Sequence, residues 1–306
     1  MNNFKKVGLT ALGTALVSTA SFAGDLSVTG SAGMTLTGKD NNASGNAITM
    51  SDTLTFAGSG ELDNGWTVSL SHAIDGGNND AMSITLGMGD AGTLKFEGLG
   101  GSGPVEETDD VTPTANEESW ATVAGTVSGL ADGAEGTRNF TYTLPSLVDG
   151  LALDVFHQPS DAAQGSSIEY KAVYTGIEGL EVGYAGGENN DTLTNQIDNT
   201  NLWAKYTIDA FTLGVQRNQE NEQTASADTD FTAYGISYAV SDELSISLNA
   251  STTDHENTSL TDQEAQGVSF SYTSGGITVG GSAHSVDNVA GATATDNSGY
   301  ELNIAF

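Results

Sequence analysis

Apolar and polar residues alternate along much of this chain, most clearly at its end. Tyr300, Leu302, Ile304 and Phe306 are large and apolar, whereas the residues between them are polar or small. A period of two predicts a β-strand with one apolar and one polar face. Sixteen such segments are separated by turn signals, at approximately 25–38, 47–60, 65–75, 81–89, 92–98, 137–145, 150–158, 167–176, 179–187, 199–208, 210–219, 229–240, 242–253, 264–274, 276–286 and 297–306.

The polar faces of these segments distinguish two all-β architectures. Within 244–250, for example, leucine, isoleucine and alanine alternate with serine and asparagine. The surface of an antiparallel sandwich would normally carry more Lys and Glu than these faces do. Faces of Ser, Thr, Gly and Asn instead favour a transmembrane antiparallel β-barrel of sixteen strands, with lipid outside and water inside. The sandwich stays open as the alternative.

The connections between segments are of two kinds. Short ones contain tight-turn sequences such as Asn64-Gly65 and Gly275-Gly276, in which glycine supplies positive φ. The longer, polar ones are 39–46, 77–80, 99–136, 159–166, 188–198, 220–228, 254–263 and 287–296. This asymmetry predicts periplasmic turns and external loops, and an even strand number predicts both termini at the periplasmic rim.

Aromatic residues concentrate near the ends of the predicted strands. Amphipathic rings are typical of the membrane–water interfaces of a barrel, although β-propensity alone explains any single one. The candidates for such girdles are Trp66, Phe96, Phe140, Tyr142, Phe156, Tyr170, Tyr174, Tyr184, Phe231, Tyr234, Tyr238, Tyr272, Tyr300 and Phe306.

The first residues predict export. Lys5 and Lys6 precede a short apolar stretch at 7–17, and Ser21 and Ala23 are small residues at the positions that signal peptidase reads. A transmembrane anchor is the alternative, but the stretch is shorter than the roughly 20 residues that span a bilayer. We therefore expect a signal peptide at 1–23 and a barrel domain at 24–306.

Composition narrows the range of partners. Removal of Lys5 and Lys6 leaves 6 basic against 40 acidic residues, which is a formal charge of −34. Such a surface repels polyanions, so we expect no nucleic-acid partner. The chain has no cysteine, so no disulfide contributes to stability in the oxidising periplasm.

The connection 99–136 is the longest and lacks a sustained period of two. Loops of this length inside compact folds are usually functional or disordered. Its acidic residues are Glu106, Glu107, Asp109, Asp110, Glu117, Glu118, Asp132 and Glu135. No Lys or Arg accompanies them before Arg138, so this loop is the first candidate for a functional segment.

Several stretches resemble general diffusion porins of Gram-negative outer membranes, closest to the alphaproteobacterial type. They are 55–60 (TFAGSG), 64–70 (NGWTVSL), 86–97 (LGMGDAGTLKFE), 139–146 (NFTYTLPS) and the terminal Phe306. The resemblance covers the whole mature chain, more through pattern than through a rigid motif. It implies a passive channel for small hydrophilic solutes, surrounded by outer-membrane lipid and assembled as a homotrimer.

The resemblance also assigns roles to residues. In these porins the loop after the fifth strand folds into the barrel and narrows the pore, which makes 99–136 the expected constriction loop. Its constriction candidates are Glu106, Glu107, Asp109, Asp110, Glu117 and Glu118, and strand parity makes Lys95, Lys171 and Lys205 the candidate lumen-wall cations. Parity places Arg138 with the lipid-facing set.

This chain departs from the family at the wall facing the loop, where porins usually carry several arginines. After the signal peptide only Arg138 and Arg217 are present, so carboxylates should dominate the pore. Carboxylate rings favour cations, and the Debye length of about 8 Å at physiological salt confines the effect to a narrow point. We expect a modest bias toward cations.

Metal binding and catalysis have weaker support. The acid-rich stretches 75–80, 188–191 and 254–257 offer oxygen ligands for weak Ca²⁺ binding, but none has EF-hand spacing, and solvated loops explain them better. The four histidines show no metal or catalytic spacing, so we expect no enzyme and no cofactor. The alternatives are a non-channel acidic surface β-protein, such as an adhesin or a Ca²⁺-stabilised extracellular protein, and a substrate-specific porin.

Overall fold

Sixteen antiparallel strands form one closed barrel. The computed structural model describes residues 26–39, 47–121, 133–162, 164–192, 195–223 and 227–306, so the expected signal peptide at 1–23 lies outside the described residues. In chain order the strands are β1 (Leu26–Lys39), β2 (Ala47–Glu61), β3 (Thr67–Asp75), β4 (Asn78–Gly87), β5 (Thr93–Leu99), β6 (Asn139–Thr143), β7 (Leu151–Gln158), β8 (Ser167–Ile177), β9 (Leu180–Thr192), β10 (Asn195–Ile208), β11 (Phe211–Glu222), β12 (Thr229–Ala239), β13 (Leu244–His255), β14 (Gln263–Ser274), β15 (Ile277–Asp287) and β16 (Asn297–Ala305).

Each strand pairs with its neighbours in the chain, and β1 pairs with β16 to close the barrel. Gly33 lies opposite Ala305, and Ala32 and Phe306 exchange two main-chain hydrogen bonds at the seam. The prediction of a sixteen-stranded antiparallel barrel is therefore confirmed, strand by strand. Among the described residues, no helix is long and apolar enough to cross a membrane.

The prediction of longer loops is wrong at two connections, 77–80 and 188–198. At 77–80, β3 and β4 are joined by Gly76 and Gly77 alone, both with positive φ, which is the conformation that a two-residue hairpin turn requires. At 188–198, β9 and β10 continue as paired strands to Thr192 and from Asn195. Most residues of these extensions are polar, so their sequence lacks the alternation that marks a strand.

The two faces of the barrel differ as the alternation predicts. Large apolar side chains of one parity are exposed on the outside, for example Leu202 and Leu248, while the opposite parity presents polar residues to the interior. Phe156 and Phe231 were expected in the aromatic girdles, and this is wrong. Both share the parity of the inward residues and are fully buried inside the barrel.

A long segment joins β5 to β6. Gly101–Ser102 pairs with Glu135–Gly136 in a short two-stranded ribbon where the segment leaves and rejoins the wall. Arg138 lies in the bend just after this ribbon, with a φ of 63°, and forms an ion pair with Asp161. Strand parity placed Arg138 with the lipid-facing residues, and this prediction is wrong. Arg138 precedes Asn139, the first residue of β6, so the parity of the strand does not apply to it.

Candidate functional site

The described parts of the segment between β5 and β6, residues 100–121 and 133–138, lie along the inside of the barrel wall, and we call them the inner loop. Inward side chains of eight strands hydrogen-bond to it. They are Gln158 on β7, Glu169 on β8, Asn189 on β9, Asn201 on β10, Gln216 and Asn218 on β11, Ser247 and Asn249 on β13, Ser269 on β14, and Asn303 on β16. The two ends of the loop are held at β7–β9, and the loop is seated against the wall from β8 to β16.

Gln216 fixes the acidic stretch of the inner loop. Its Oε1 accepts the Val111 N–H at 2.8 Å, and its Nε2 donates to the carbonyl oxygens of Thr108 at 2.9 Å and Asp109 at 2.5 Å. Asn218 Nδ2 donates to the same Asp109 carbonyl at 2.8 Å. Buried polar groups need such partners, and these bonds determine where the carboxylates of this stretch project.

Two apolar clusters also hold the loop inside an otherwise polar lumen. We call the part of the loop beside the ribbon of Gly101–Ser102 and Glu135–Gly136 the neck. Near the neck, Val105 of the loop packs with Ala185 and Trp203 of the wall. Further along, Trp120 of the loop packs edge-on against Phe231, with ring centroids 5.0 Å apart, over the alanine and valine side chains of β12, β14 and β15. Burial of aromatic and aliphatic surface at both points stabilises the docked position of the loop.

Each of the three predicted wall lysines has a carboxylate within salt-bridge distance. The pairs are Lys95 Nζ with Glu97 Oε1 at 2.5 Å, Lys171 Nζ with Glu107 Oε2 at 2.6 Å and Asp154 Oδ2 at 3.3 Å, and Lys205 Nζ with Glu181 Oε1 at 2.8 Å. Of these, Lys171 alone reaches the inner loop, because its partner Glu107 belongs to the turn Glu106–Thr108. The lysines therefore lie beside neutralising acids.

The other acids of the loop lack such partners. No lysine or arginine of the described residues lies within salt-bridge distance of Asp109, Asp110, Glu117 or Glu118. Burial, followed by the repulsion of Asp110 and Glu106, raises the pKa of Asp109 well above its usual range. Burial raises the pKa of Glu118 to about 7, and burial with the nearby Glu301 raises that of Glu117.

The opposite wall is uncharged in its middle, and its charged residues of the same parity, Lys39, Glu61 and Asp75, lie at strand ends. The inward positions of β1–β4 form what we call the hydroxyl wall, which includes Thr35, Thr37, Ser51, Thr53, Thr55, Ser69, Ser71, Ser83 and Thr85. Lys95 and Glu97 on β5 border it as a neutral pair. Between the loop and the rim of short turns lies an open cavity of about 730 Å³, lined by Asp110, Glu118, Glu181 and Lys205 among others.

The six predicted constriction acids thus lie in the inner loop, and the three lysines lie on inward positions. The sequence did not identify the residues that hold the loop. Glu169, Gln216 and Trp203 are buried inside the barrel. In the sequence, only their inward strand parity could have indicated that they face the loop. Trp203, for example, alternates with Asn201 and Lys205 along β10.

The acid-rich stretches do not form a metal centre in the described residues. Within that part of the chain, no three His, Asp or Glu side chains are grouped so that they could hold a metal ion. Of the three stretches, 75–80 is a tight hairpin and 188–191 is continuous strand.

Solved structures of outer-membrane proteins share this architecture. An anion-selective porin from Comamonas acidovorans is 14% identical with a TM-score of 0.69, covering 92% of this chain and 99% of that one. OmpF of Salmonella typhi, in complex with daunomycin, is 14% identical with a TM-score of 0.70 and coverages of 92% and 97%. OmpT of Vibrio cholerae is 13% identical with a TM-score of 0.71 and the same coverages. At these identities the likeness shows the fold.

The family is shown by a different comparison. A search of curated proteins finds no match. The family model described as Gram-negative porin, however, matches residues 8–306, which is almost the whole chain. With the closed barrel and the polar lumen, this match establishes that the chain belongs to the Gram-negative porins and is a passive diffusion channel of the outer membrane.

Proposed function

We propose that the inner loop is the constriction of this channel and that its carboxylates favour the passage of cations. The loop sets the size limit because it occupies the lumen along the wall from β8 to β16. Solutes then pass between it and the hydroxyl wall. Small hydrophilic molecules and ions are the expected cargo, since the remaining lining offers hydroxyl, amide and carboxylate groups.

One observation carries the cation bias: Lys95, Lys171 and Lys205 are paired with carboxylates, while four loop acids are not paired with any described lysine or arginine. Opposed rows of acids and bases would set up a field across the pore. Here one side is acidic and the other uncharged, so the potential has a single sign. Fixed negative charge at a narrow point raises the local concentration of cations.

The test is the reversal potential of detergent-purified protein in a planar bilayer under a KCl gradient at pH 9, where Asp109 and Glu118 are charged despite their raised pKa values. We expect a cation-sided potential that moves toward zero in the double variant Glu117→Gln/Glu118→Gln. The control Glu188→Gln/Glu264→Gln removes the same charge from exposed outward positions and should leave the potential unchanged. An anion-sided potential in the unmodified protein would refute the cation bias while leaving the channel intact.

We also propose that the channel is a homotrimer that associates through the outer face of β1–β4. The in-vitro folded OmpT of Vibrio cholerae is described as a trimer form, and its fold is shared by this chain. The exposed large hydrophobics on β1–β4 are all aliphatic, as in Met34, Met50 and Leu54, whereas further round the barrel exposed Tyr and Phe rings accompany the aliphatic residues. Aromatic rings mark lipid-facing belts, so their scarcity here favours a protein partner.

A further inference from the structure

Glu169 of β8 is fully buried inside the barrel and holds both ends of the inner loop. Its Oε2 accepts the Val105 N–H at 2.9 Å, and its Oε1 accepts the Ala134 N–H at 2.6 Å. Val105 and Ala134 are 29 positions apart in the chain. One carboxylate therefore ties together the outgoing and returning arms of the loop and fastens both to the wall.

The neck of the loop is built closely around this carboxylate. Gly103 N donates to the Ala134 carbonyl at 2.7 Å, which joins the two arms directly. A Cβ on Gly103 would lie 2.3 Å from Glu169 Oε2, and one on Gly133 would lie 2.2 Å from the Glu106 nitrogen. Real Cβ atoms do not come so close, so glycine at both positions is what lets the arms pass over the carboxylate.

We propose that Glu169 is the positioning residue of the constriction, a clamp that sets the height and tilt of the inner loop in the lumen. The clamp itself follows from the contacts above, and its effect on the size limit rests on the proposed function of the loop. The constriction acids Glu106 and Glu107 come directly after the clamped Val105. Where Glu169 holds the neck, it also fixes where these side chains project.

The chemistry of the clamp requires a carboxylate. Both donors are main-chain N–H groups, and only an ionised carboxylate presents an acceptor oxygen to each of them. A carboxamide of the same size would accept one N–H and direct its own NH₂ at the other. Hydrogen bonds to charged groups are stronger than neutral ones, and a buried donor without an acceptor is costly. Glu169→Gln should therefore release one arm of the neck.

Thiol labelling measures this release, because the chain has no cysteine of its own. Val105→Cys reports on the neck and Ser119→Cys on the far part of the loop, and both side chains are fully buried. We expect Glu169→Gln to accelerate labelling at position 105 about tenfold or more, with a smaller effect at 119. Glu188→Gln, an exposed change of the same kind on β9, is the matched control and should change neither rate.

Liposome swelling with small and large neutral sugars gives the second measurement. Glu169→Gln should raise the ratio of large to small sugar entry several-fold, while migration before and after boiling shows an intact barrel. Unchanged labelling at 105 in folded Glu169→Gln protein, checked with Gly103→Ala as an independent disruption of the neck, would overturn the clamp. Faster labelling with an unaltered sugar ratio would keep the clamp and reject the loop as the size filter.

Discussion

At the scale of single residues, the sequence showed which residues carry charge, but not their ion-pair partners or their pKa values. Lys171 was predicted to face the lumen, yet its contribution depends on Glu107 and Asp154, which lie 64 and 17 positions away. Likewise, the loop acids were identified by composition, whereas their raised pKa values arise from burial against the wall. Such pairings follow from the path of a loop without periodicity, and no local pattern encodes that path.

The raised pKa values predict that cation selectivity increases with pH. A carboxyl whose pKa is raised to about 7 or 8 is mostly neutral at pH 5 and mostly charged at pH 9. Burial raises the pKa of Glu118 to about 7 and also raises that of Asp109, so negative charge should accumulate between pH 5 and 9. Reversal potentials measured across this range should move further to the cation side as pH rises.

The double variant Asp109→Asn/Glu118→Gln is the control for this titration. Its selectivity should vary much less with pH, because the two loop carboxyls whose pKa values burial raises to about 7 and about 8 are then replaced by uncharged amides. A flat profile in the unmodified protein would mean that the loop carboxyls are fully charged at pH 5. Their burial by the docked loop would then be wrong.

At the scale of elements, strand prediction succeeded where one face meets lipid and the other meets water. Each of the sixteen predicted segments corresponds to one strand, because that contrast imposes a period of two. Strand prediction failed at 188–198, where β9 and β10 continue beyond the part of the barrel whose outer face is apolar. Main-chain pairing continues there, but most of the residues are polar, so the sequence shows no apolar–polar alternation.

The inner loop is anchored at two points, by Glu169 at the neck and by the packing of Trp120 against Phe231. The second anchor can be tested separately from the first. Trp120→Ala removes the ring that packs against Phe231, and such truncations cost about 3–5 kcal/mol in well-packed sites. Because the strands do not depend on this contact, we expect local undocking, seen as greater open-channel current noise. Trp120→Phe keeps an aromatic edge and should restore most of the quiet current. Equal noise in all three proteins would show that the anchor is dispensable.

At the scale of the whole molecule, the barrel is asymmetric in cross-section. The inner loop and both apolar clusters lie against the wall from β8 to β16, while the hydroxyl wall occupies the β1–β4 side. The outer surface differs between the same two sides, because the exposed large hydrophobics outside the hydroxyl wall are aliphatic, whereas exposed Tyr and Phe occur together with aliphatic residues on the other strands. A trimer that associates through β1–β4 would therefore bring the passages of its three subunits near its centre.

Cysteine cross-linking tests this arrangement directly. Met50 on β2 and Val268 on β14 are both exposed outward, at 77% and 50%, but they lie on different sides of the barrel. In a trimer that uses β1–β4, Met50→Cys positions of neighbouring subunits come close together, so a short bismaleimide should yield linked species on a denaturing gel. Val268→Cys faces lipid and should stay monomeric. Cross-links at 268 but not at 50 would place the interface on the aromatic side, because proximity in the assembled protein decides which thiols a short reagent can bridge.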